Sequence, residues 1–324
     1  MAGHPPDLSE TPAGASDLLS DLLRRIHISE SLQYCFMPSG DWEIDATPAT
    51  WRPKAAMGFH IVADGGCMLG FGNEVHDLVA GDIAIFPFST PHGVWTKKGA
   101  TEIDPGGDLP AKPWREVPRL VYGDGSNPTR LLCGYLICDP MQFPPFRETL
   151  PKFIHIRGAA DPWLKAMITQ IVAEVDRPTS GGFSMLERLT ELTFVEILRR
   201  AILSAPSDQR GWTAALGDPV LARALALIHG DPGEAWTVTE LARRAATSRS
   251  VLAERFETVL GTAPMRYLRD WRLYLASVAL REGQLPITTI ATNAGYQTVA
   301  AFSRAFARAY GKPPAAFRAS SGFG

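Results

Sequence analysis

The feature of this sequence that most constrains its fold is an internal repeat in the last third. Residues 236–264 and 285–314 resemble each other: Leu241-Ala242 matches Ile290-Ala291 at an offset of 49, and beyond a turn the offset is 50. The matches at the second offset are Leu252 with Phe302, Phe256 with Phe306, Gly261 with Gly311 and Pro264 with Pro314. Since length varies most easily in turns, the pattern predicts two copies of a short helix, a tight turn and a second helix.

Each copy carries local signals for the ends of its helices. Thr237 and Glu240 have the spacing of a capping box that opens the first helix. Gly261 and Gly311 stand where a C-terminal glycine cap belongs. Residues 265–282 lie between the copies and predict one longer helix, so the two copies are joined rigidly.

The repeat lies in the basic part of an otherwise acidic chain. The whole sequence has 32 Lys and Arg against 34 Asp and Glu, a net charge of -2. Residues 217–324 alone hold 13 basic and 8 acidic side chains, so the part that precedes them is acidic. This division fits two separate tasks, one of them nucleic-acid binding, but also fits ordinary variation in surface charge.

Two helix-turn-helix units on one rigid helix fit successive major grooves, which lie about 34 Å apart on one face of DNA. The alternatives are a bundle whose duplicated hairpins only pack together, or an interaction module that never touches DNA. Residues 236–318 resemble the DNA-binding domain of AraC/XylS-type transcriptional regulators. The most specific stretch of the resemblance lies in the second copy: Ile290-Ala291, Gly295-Tyr296, Phe302-Ser303-Arg304-Ala305-Phe306, Gly311, Pro314 and Phe317-Arg318.

The resemblance implies which side chains face the DNA bases. They are Arg249, Ser250, Ala253 and Glu254 in the first copy, and Gln297, Thr298, Val299, Ala300, Ser303 and Arg304 in the second. Arg and Gln pair bidentately with guanine and adenine, whereas Val and Ala contact only thymine methyl groups. Glu254 fits either acceptance from cytosine N4 or a solvated carboxylate, and Arg304 fits either a base or a phosphate.

The sequence pattern before the repeat is different. Short apolar runs separated by Gly, Pro, Asp and Asn predict strands between residues 31 and 138. A short helix is expected at 17–26 and a long loop at 99–127. The expected fold class is therefore α+β with two domains. The expected boundaries are a disordered leader at 1–15, a barrel at 16–160, a helical dimerisation segment at 161–205, a linker at 206–217 and the DNA-binding domain at 218–320.

Residues 81–92 contain a Gly-Asp pair, a proline and a histidine whose spacing resembles the second motif of cupin barrels. Ser89 and Thr96 replace the glycine and asparagine that are usual in that motif. Cupins are jelly rolls of two sheets, so the resemblance implies a jelly-roll barrel with His92 nearest its pocket. AraC-type regulators often carry such a barrel as a sensor.

The histidines argue against cupin enzyme chemistry. No two of the seven have the paired HxH spacing that metal-binding cupins usually need, although His60 and His92 remain able to converge. Two imidazoles without a carboxylate make a poor site for a catalytic divalent metal. We therefore expect no metal, no cofactor and no catalytic residues. The alternative is a cupin-type enzyme with a helical appendage.

The whole architecture resembles a subgroup of cupin-containing AraC-type regulators that includes sensors of reactive chlorine or other oxidants. Cys35 followed by Gly40-Asp41-Trp42, and Cys133 within Leu132-Cys133-Gly134, carry this resemblance. It implies that Cys35 and Cys133 form a redox switch, in which a sulfenic acid condenses to a disulfide if the Cα atoms lie within about 7 Å. The alternative is that the cysteines are small buried hydrophobic residues.

Two further roles for the front half remain open. It contains apolar side chains for a small organic ligand, namely Trp42, Phe59, Phe71, Phe86, Trp95 and Tyr135, beside His60 and His92. Alternatively it is a passive dimerisation platform with a seam at Leu186, Leu189, Leu192, Val195 and Leu198, a series that also fits packing within the domain.

The partners expected from the sequence are double-stranded promoter or operator DNA, RNA polymerase if the protein activates transcription, an unidentified small-molecule or oxidant effector, and a second copy of the chain. The four cysteines are too few for a secreted disulfide framework, and the start of the chain lacks a signal-peptide pattern. No apolar run is long enough to span a membrane. We therefore expect a cytoplasmic protein.

Overall fold

The computed structural model describes residues 18–23, 28–46, 56–111, 114, 116–138, 143–147, 150–158, 161–203 and 211–321. The leader expected at 1–15 lies outside them. The described residues form two compact units that are not contiguous in sequence. Of the described residues, the sheet unit comprises those within 26–139 and 150–201, and the helix unit comprises those within 18–25, 140–149 and 202–321.

Within the described residues, ten strands in two sheets form most of the sheet unit. The larger sheet has the order β10-β6-β3-β9-β1-β8, and the smaller has the order β2-β7-β4-β5. The strands are β1 (Ile28–Pro38), β2 (Glu43–Asp45), β3 (Ala56–Asp64), β4 (Gly66–Phe71), β5 (Glu74–Val79), β6 (Ile83–Phe86), β7 (Gly93–Trp95), β8 (Arg119–Tyr122), β9 (Arg130–Cys138) and β10 (Ile154–Ile156). The long loop expected at 99–127 therefore contains β8, which pairs in parallel with β1.

One hydrophobic core lies between the two sheets. The larger sheet contributes alternate residues of its strands, such as Tyr34, Leu131 and Cys133, and the smaller sheet contributes Leu69 and Val94. The opposite face of the larger sheet is also buried, because α3 (Pro162–Asp176) packs against β3. The sheet unit also contains α4 (Gly182–Leu203) as far as residue 201.

The helix unit contains the repeat. Its helices are α1 (Leu18–Leu23), α2 (Pro144–Arg147), α5 (Trp212–Gly217), α6 (Pro219–Gly230), α7 (Val238–Arg244), α8 (Arg249–Leu260), α9 (Pro264–Glu282), α10 (Ile287–Asn293), α11 (Val299–Tyr310) and α12 (Pro314–Ser321). The first copy of the repeat is α7 and α8, the second is α10 and α11, and α9 joins them as expected.

The caps explain why the repeat helices begin and end where they do. Ser248 and Thr298 accept hydrogen bonds from Val251 N and Ala301 N at the starts of α8 and α11. Gly261 and Gly311 end these helices in the left-handed conformation, at φ 65° and 73°, which glycine adopts without steric cost.

The expected capping box is only half formed. Thr237 accepts from Glu240 N as expected. The Glu240 carboxylate instead accepts from Arg243 and Arg244 on the same helix. The charge-assisted bonds to two guanidinium groups replace the bond back to the Thr237 amide.

The linker expected at 206–217 ends earlier than its composition indicated. Helix α5 occupies Trp212–Gly217, and the Trp212 side chain is fully buried. The Trp212 ring lies 5.4 Å from that of His229, so burial of an indole holds this segment within the helix unit.

Aromatic packing holds the second copy together. Phe306 is fully buried, stacks on Tyr310 at 4.5 Å and meets Phe317 edge-on at 5.2 Å. We expect Phe306→Ala to destabilise the helix unit by about 3–5 kcal/mol, because it leaves a large cavity. Urea denaturation followed by circular dichroism measures the change. Leu285→Ala is the control, since Leu285 is 40% exposed, and an unchanged midpoint for Phe306→Ala would contradict this packing.

Candidate functional site

The exposed side of α8 carries the residues expected to face DNA in the first copy. Leu252 and Phe256 turn one side of this helix into the core. Arg249, Ser250 and Glu254 are exposed on its other sides, and Ala253 is half-buried.

Helix α11 repeats the arrangement with different side chains. Phe302 and Phe306 are buried, while Gln297, Thr298, Val299, Ala300 and Arg304 are exposed and Ser303 is half-buried. The Thr298 hydroxyl oxygen already caps the helix, so this residue positions α11 whether or not it also contacts a base. The structure therefore places all ten residues on or next to the two helices that follow the turns.

Several arginines near these helices have partners within the protein. Glu240 binds Arg243 and Arg244, and these hydrogen bonds lower its pKa to about 2. Asp218 caps α6 and also accepts from Arg255 at 2.5 Å. These arginines are held by neighbouring carboxylates and therefore present less uncompensated positive charge to DNA.

Arg272 on α9 has a structural role that its spacing in the sequence did not reveal. It donates to the carbonyls of Pro232 at 2.6 Å and Glu234 at 2.7 Å. Its burial lowers its pKa. Arg272 therefore ties the loop that precedes the first copy to the central helix.

The sheet unit contains a hydrogen-bonded chain that starts at Cys133. Cys133 Sγ lies 3.1 Å from His60 Nδ1, and His60 Nε2 lies 2.7 Å from His92 Nε2. His92 Nδ1 lies 2.7 Å from the Thr90 carbonyl. A carbonyl only accepts, so with both rings neutral the donors follow in order: His92 to Thr90, His60 to His92, and the Cys133 thiol to His60.

Cys35 lies in a different environment. Arg130 donates from Nε to Cys35 Sγ at 3.4 Å and binds Asp176 through two hydrogen bonds of 2.7 and 2.9 Å. The bonds to Asp176 raise the pKa of Arg130, and those from Arg130 lower the pKa of Asp176. The contact of Cys35 with Arg130 was missed from the sequence because the two residues are 95 positions apart, and Asp176, which binds Arg130, lies a further 46 residues along the chain.

The strand register separates the two cysteines. Cys133 pairs with Tyr34, whereas Cys35 pairs with Leu132. Successive side chains of a strand point to opposite faces, so Cys133 lies in the core between the sheets and Cys35 lies on the other face. The side chains of the expected switch pair therefore do not face each other.

The same alternation divides the aromatic residues expected to line a pocket. Trp42, Phe86 and Tyr135 belong to the core between the sheets, with Phe71 packed against them. Phe59 is one residue from His60 on β3 and thus faces the other way. The Trp95 ring instead lies over Gly70, where a Cβ atom would come within 2.5 Å of it.

His60 and His92 converge, and His92 also stacks on Phe86 with ring centroids 3.7 Å apart. Within the part of the chain that the structure describes, no group of three or more His, Cys, Asp or Glu side chains is placed to hold a metal ion. Among the described helices, none combines the length and apolar character needed to cross a bilayer.

Comparison with known proteins agrees with this division. A cupin family model matches residues 17–202, and a helix-turn-helix domain model matches residues 241–320. The fold and its helix pairs thus define a DNA-binding transcriptional regulator with a cupin domain. The chain belongs to the AraC-like transcription regulators: it is 32% identical over 307 residues to a putative member from Streptomyces antibioticus, across 93% of this chain and 97% of that protein.

Other relatives share the assignment. The transcriptional regulator AlkR of Acinetobacter baylyi is 28% identical, across 94% of this chain and all of its own length. The RCS-specific transcriptional activator RclR of Escherichia coli is 30% identical over 65% of this chain and 75% of its own. The DNA-binding domain of AdpA, solved with a target DNA, is 31% identical over 32% of this chain and 92% of that chain, with a TM-score of 0.30. The relatives' names identify regulators and not enzymes.

The register predicts how the thiols respond to oxidation. A disulfide between Cys35 and Cys133 needs β1 to slip by one residue against β9, which would turn its buried side chains to the wrong face. We therefore expect peptide mapping of the folded protein, oxidised with diamide, to find no Cys35–Cys133 cross-link. Protein oxidised in urea is the control, because free rotation there permits the bond. A stoichiometric cross-link in the folded protein would contradict the register.

Proposed function

We propose that this regulator binds promoter or operator DNA by placing α8 and α11 in major grooves. The proposal is carried by the ten side chains named above, which lie exposed or half-buried on or next to two capped helices whose opposite sides are buried. Eight of them form four pairs at equivalent positions of α8 and α11, and Gln297 and Thr298 precede α11. The net positive charge of residues 217–324 supports the proposal as well, because basic side chains are attracted to the phosphates of DNA.

Salt dependence and one substitution test this proposal. Full-length protein should bind its own upstream DNA in a gel-shift assay, and the affinity should fall steeply between low and physiological salt. Arg304→Ala should cost about 1–3 kcal/mol if Arg304 pairs with a base. Lys165→Ala is the control, since Lys165 has the same charge and lies exposed on α3 of the sheet unit. Salt-independent binding, or equal effects of both substitutions, would contradict the proposal.

The cupin domain is the proposed sensor. Its two sheets enclose one core, which is the arrangement expected of a jelly roll. The interior positions hold their own side chains, since Trp42 and Tyr135 are 1% and 2% exposed. This filling favours a reactive effector over a bulky organic ligand. The name of the relative RclR, which is specific for reactive chlorine species, points the same way.

Cys133 and Cys35 are the proposed oxidant-sensitive groups, acting separately. His60 Nδ1 lies 3.1 Å from Cys133 Sγ and can accept its proton, and Cys35 Sγ accepts a hydrogen bond from Arg130 Nε. Reaction of a thiol with hypochlorous acid gives a sulfenic acid and hydrogen chloride. A sulfenic acid at Cys133 changes the hydrogen bond to His60, and one at Cys35 changes the contact with Arg130.

Cys67 supplies the control for a test of oxidant sensing. It also lies in the core between the sheets. Burial and, to a smaller extent, Asp77 and Asp82 raise its pKa to about 12, so it remains protonated and unreactive at neutral pH. We expect mild hypochlorite to change reporter transcription fully in wild type and Cys67→Ser, but only partly in Cys133→Ser or Cys35→Ser, because each of these two variants keeps one of the two thiols. A full response in the last two variants would contradict the proposal.

A homodimer through α4 is also proposed, with a seam that differs from the expected series. Leu186 and Leu198 are buried within the sheet unit, whereas Leu192 and Met185 are each 51% exposed. The exposed apolar side chains of α4 therefore include Met185 and Leu192, with the half-buried Leu189 between them. If the protein activates transcription, RNA polymerase is its further partner.

A further inference from the structure

The duplication allows each DNA-facing position of one copy to be compared with its counterpart in the other. The caps fix the correspondence: Ser248 and Thr298 begin α8 and α11, and Gly261 and Gly311 end them. Both pairs are 50 residues apart, as are the buried positions. The two helices are therefore aligned residue by residue, without a gap.

At one position in this alignment the charge is inverted. Glu254 of α8 corresponds to Arg304 of α11, and both side chains are exposed. With 100° per residue, Glu254 lies roughly 160° from the centre of the buried stripe of α8, so it points directly away from the core. Arg304 has the same relation to the stripe of α11. The side chain at the outermost position of the helix is thus acidic in one copy and basic in the other.

Glu254 has no role in holding the fold that would explain the acid. The residues three and four positions away are Ser250, Val251, Glu257 and Thr258, so no basic partner lies on its own helix face. Among the described residues the structure shows no hydrogen bond or ion pair of Glu254. Glu257 carries the same charge, which adds repulsion.

The second copy differs in its charge as a whole. Glu282 is the last acidic residue of the chain, and residues 283–324 contain Arg304, Arg308, Lys312 and Arg318. DNA phosphates therefore attract the basic side chains of α11, which has no acidic residue to repel them. The same phosphates repel the Glu254 carboxylate of α8. The carboxylate becomes favourable only when a base offers it a donor.

The bases differ in what they offer at the groove edge. A carboxylate accepts from cytosine N4, and it finds only acceptors at guanine O6 and N7. A guanidinium shows the reverse preference and pairs bidentately with guanine. Equivalent positions that hold Glu254 and Arg304 therefore select opposite members of a base pair.

We propose that Glu254 is the specificity-determining residue of the half-site that α8 contacts, where it selects cytosine and excludes guanine. Arg304 selects guanine at the equivalent position of the half-site that α11 contacts. This inference rests on the proposed insertion of α8 and α11 into major grooves.

Selection from a pool of randomised DNA duplexes by the full-length protein tests the inference. Wild type should enrich cytosine about tenfold at one position of one half-site. Glu254→Gln should lose this preference in favour of adenine, which glutamine reads, and Glu254→Arg should replace it with guanine. Glu257→Gln is the control, because it removes the same charge from the flank of the same helix, and it should leave the preference unchanged.

Each result has a defined meaning. If Glu254→Gln selects the same bases as wild type at every position, the inference is wrong. DNA binding by the two helices is then still supported. The same holds if Glu257→Gln alters that position equally, since the effect is then one of overall charge. A wild-type protein that enriches no sequence overturns the proposed function together with this inference.

Discussion

The burial of one apolar stripe on each of two short helices determines which side chains of these helices point outward, where DNA can contact them. Phe256 and Phe306 are fully buried. A helix turns by 3.6 residues, so fixing these side chains inward fixes Glu254 and Arg304 outward. The glycine caps limit the helices to three turns each. The exposed positions are then free to differ between the copies, because neither core depends on them.

The alternation of side chains along strands has a comparable effect in the sheet unit. It brings His60 and Cys133 to the same face of paired strands and places Cys35 on the other face, beside Arg130. Two cysteines on neighbouring strands thus acquire different partners, an imidazole and a guanidinium. Which side chain contacts each thiol is therefore determined by the face of the sheet on which the cysteine lies, and not by the position of the cysteine in the sequence.

The parts of the fold that depend on local signals were predictable from the sequence. The ends of α8 and α11 are set by side chains and glycines within one turn of them. The strand β8 was missed, since its parallel partner β1 is about 80 residues away and its own segment is rich in polar residues. The helix that begins at Trp212 was missed for a similar reason: contact with His229 in the next helix holds it, against a composition typical of linkers.

The candidate functional sites divide in the same way, into residues that local patterns predict and residues whose contacts depend on the fold. The DNA-facing residues were implied by the resemblance to AraC/XylS-type regulators, and helical periodicity agrees with that set because it separates buried from exposed positions. The cysteine sites required the register of β1 against β9, which no spacing within either strand reveals. The contacts of Arg130 and Arg272 required the packing of distant segments.

In the binding mode that we propose, two equivalent helices of one chain contact DNA together. A hydroxyl-radical footprint of the full-length protein on its own upstream DNA shows whether they do. For each bound chain we expect two protected patches on one face of the duplex, with centres about 34 Å apart. A single patch per chain, or uniform protection without a preferred sequence, would contradict it.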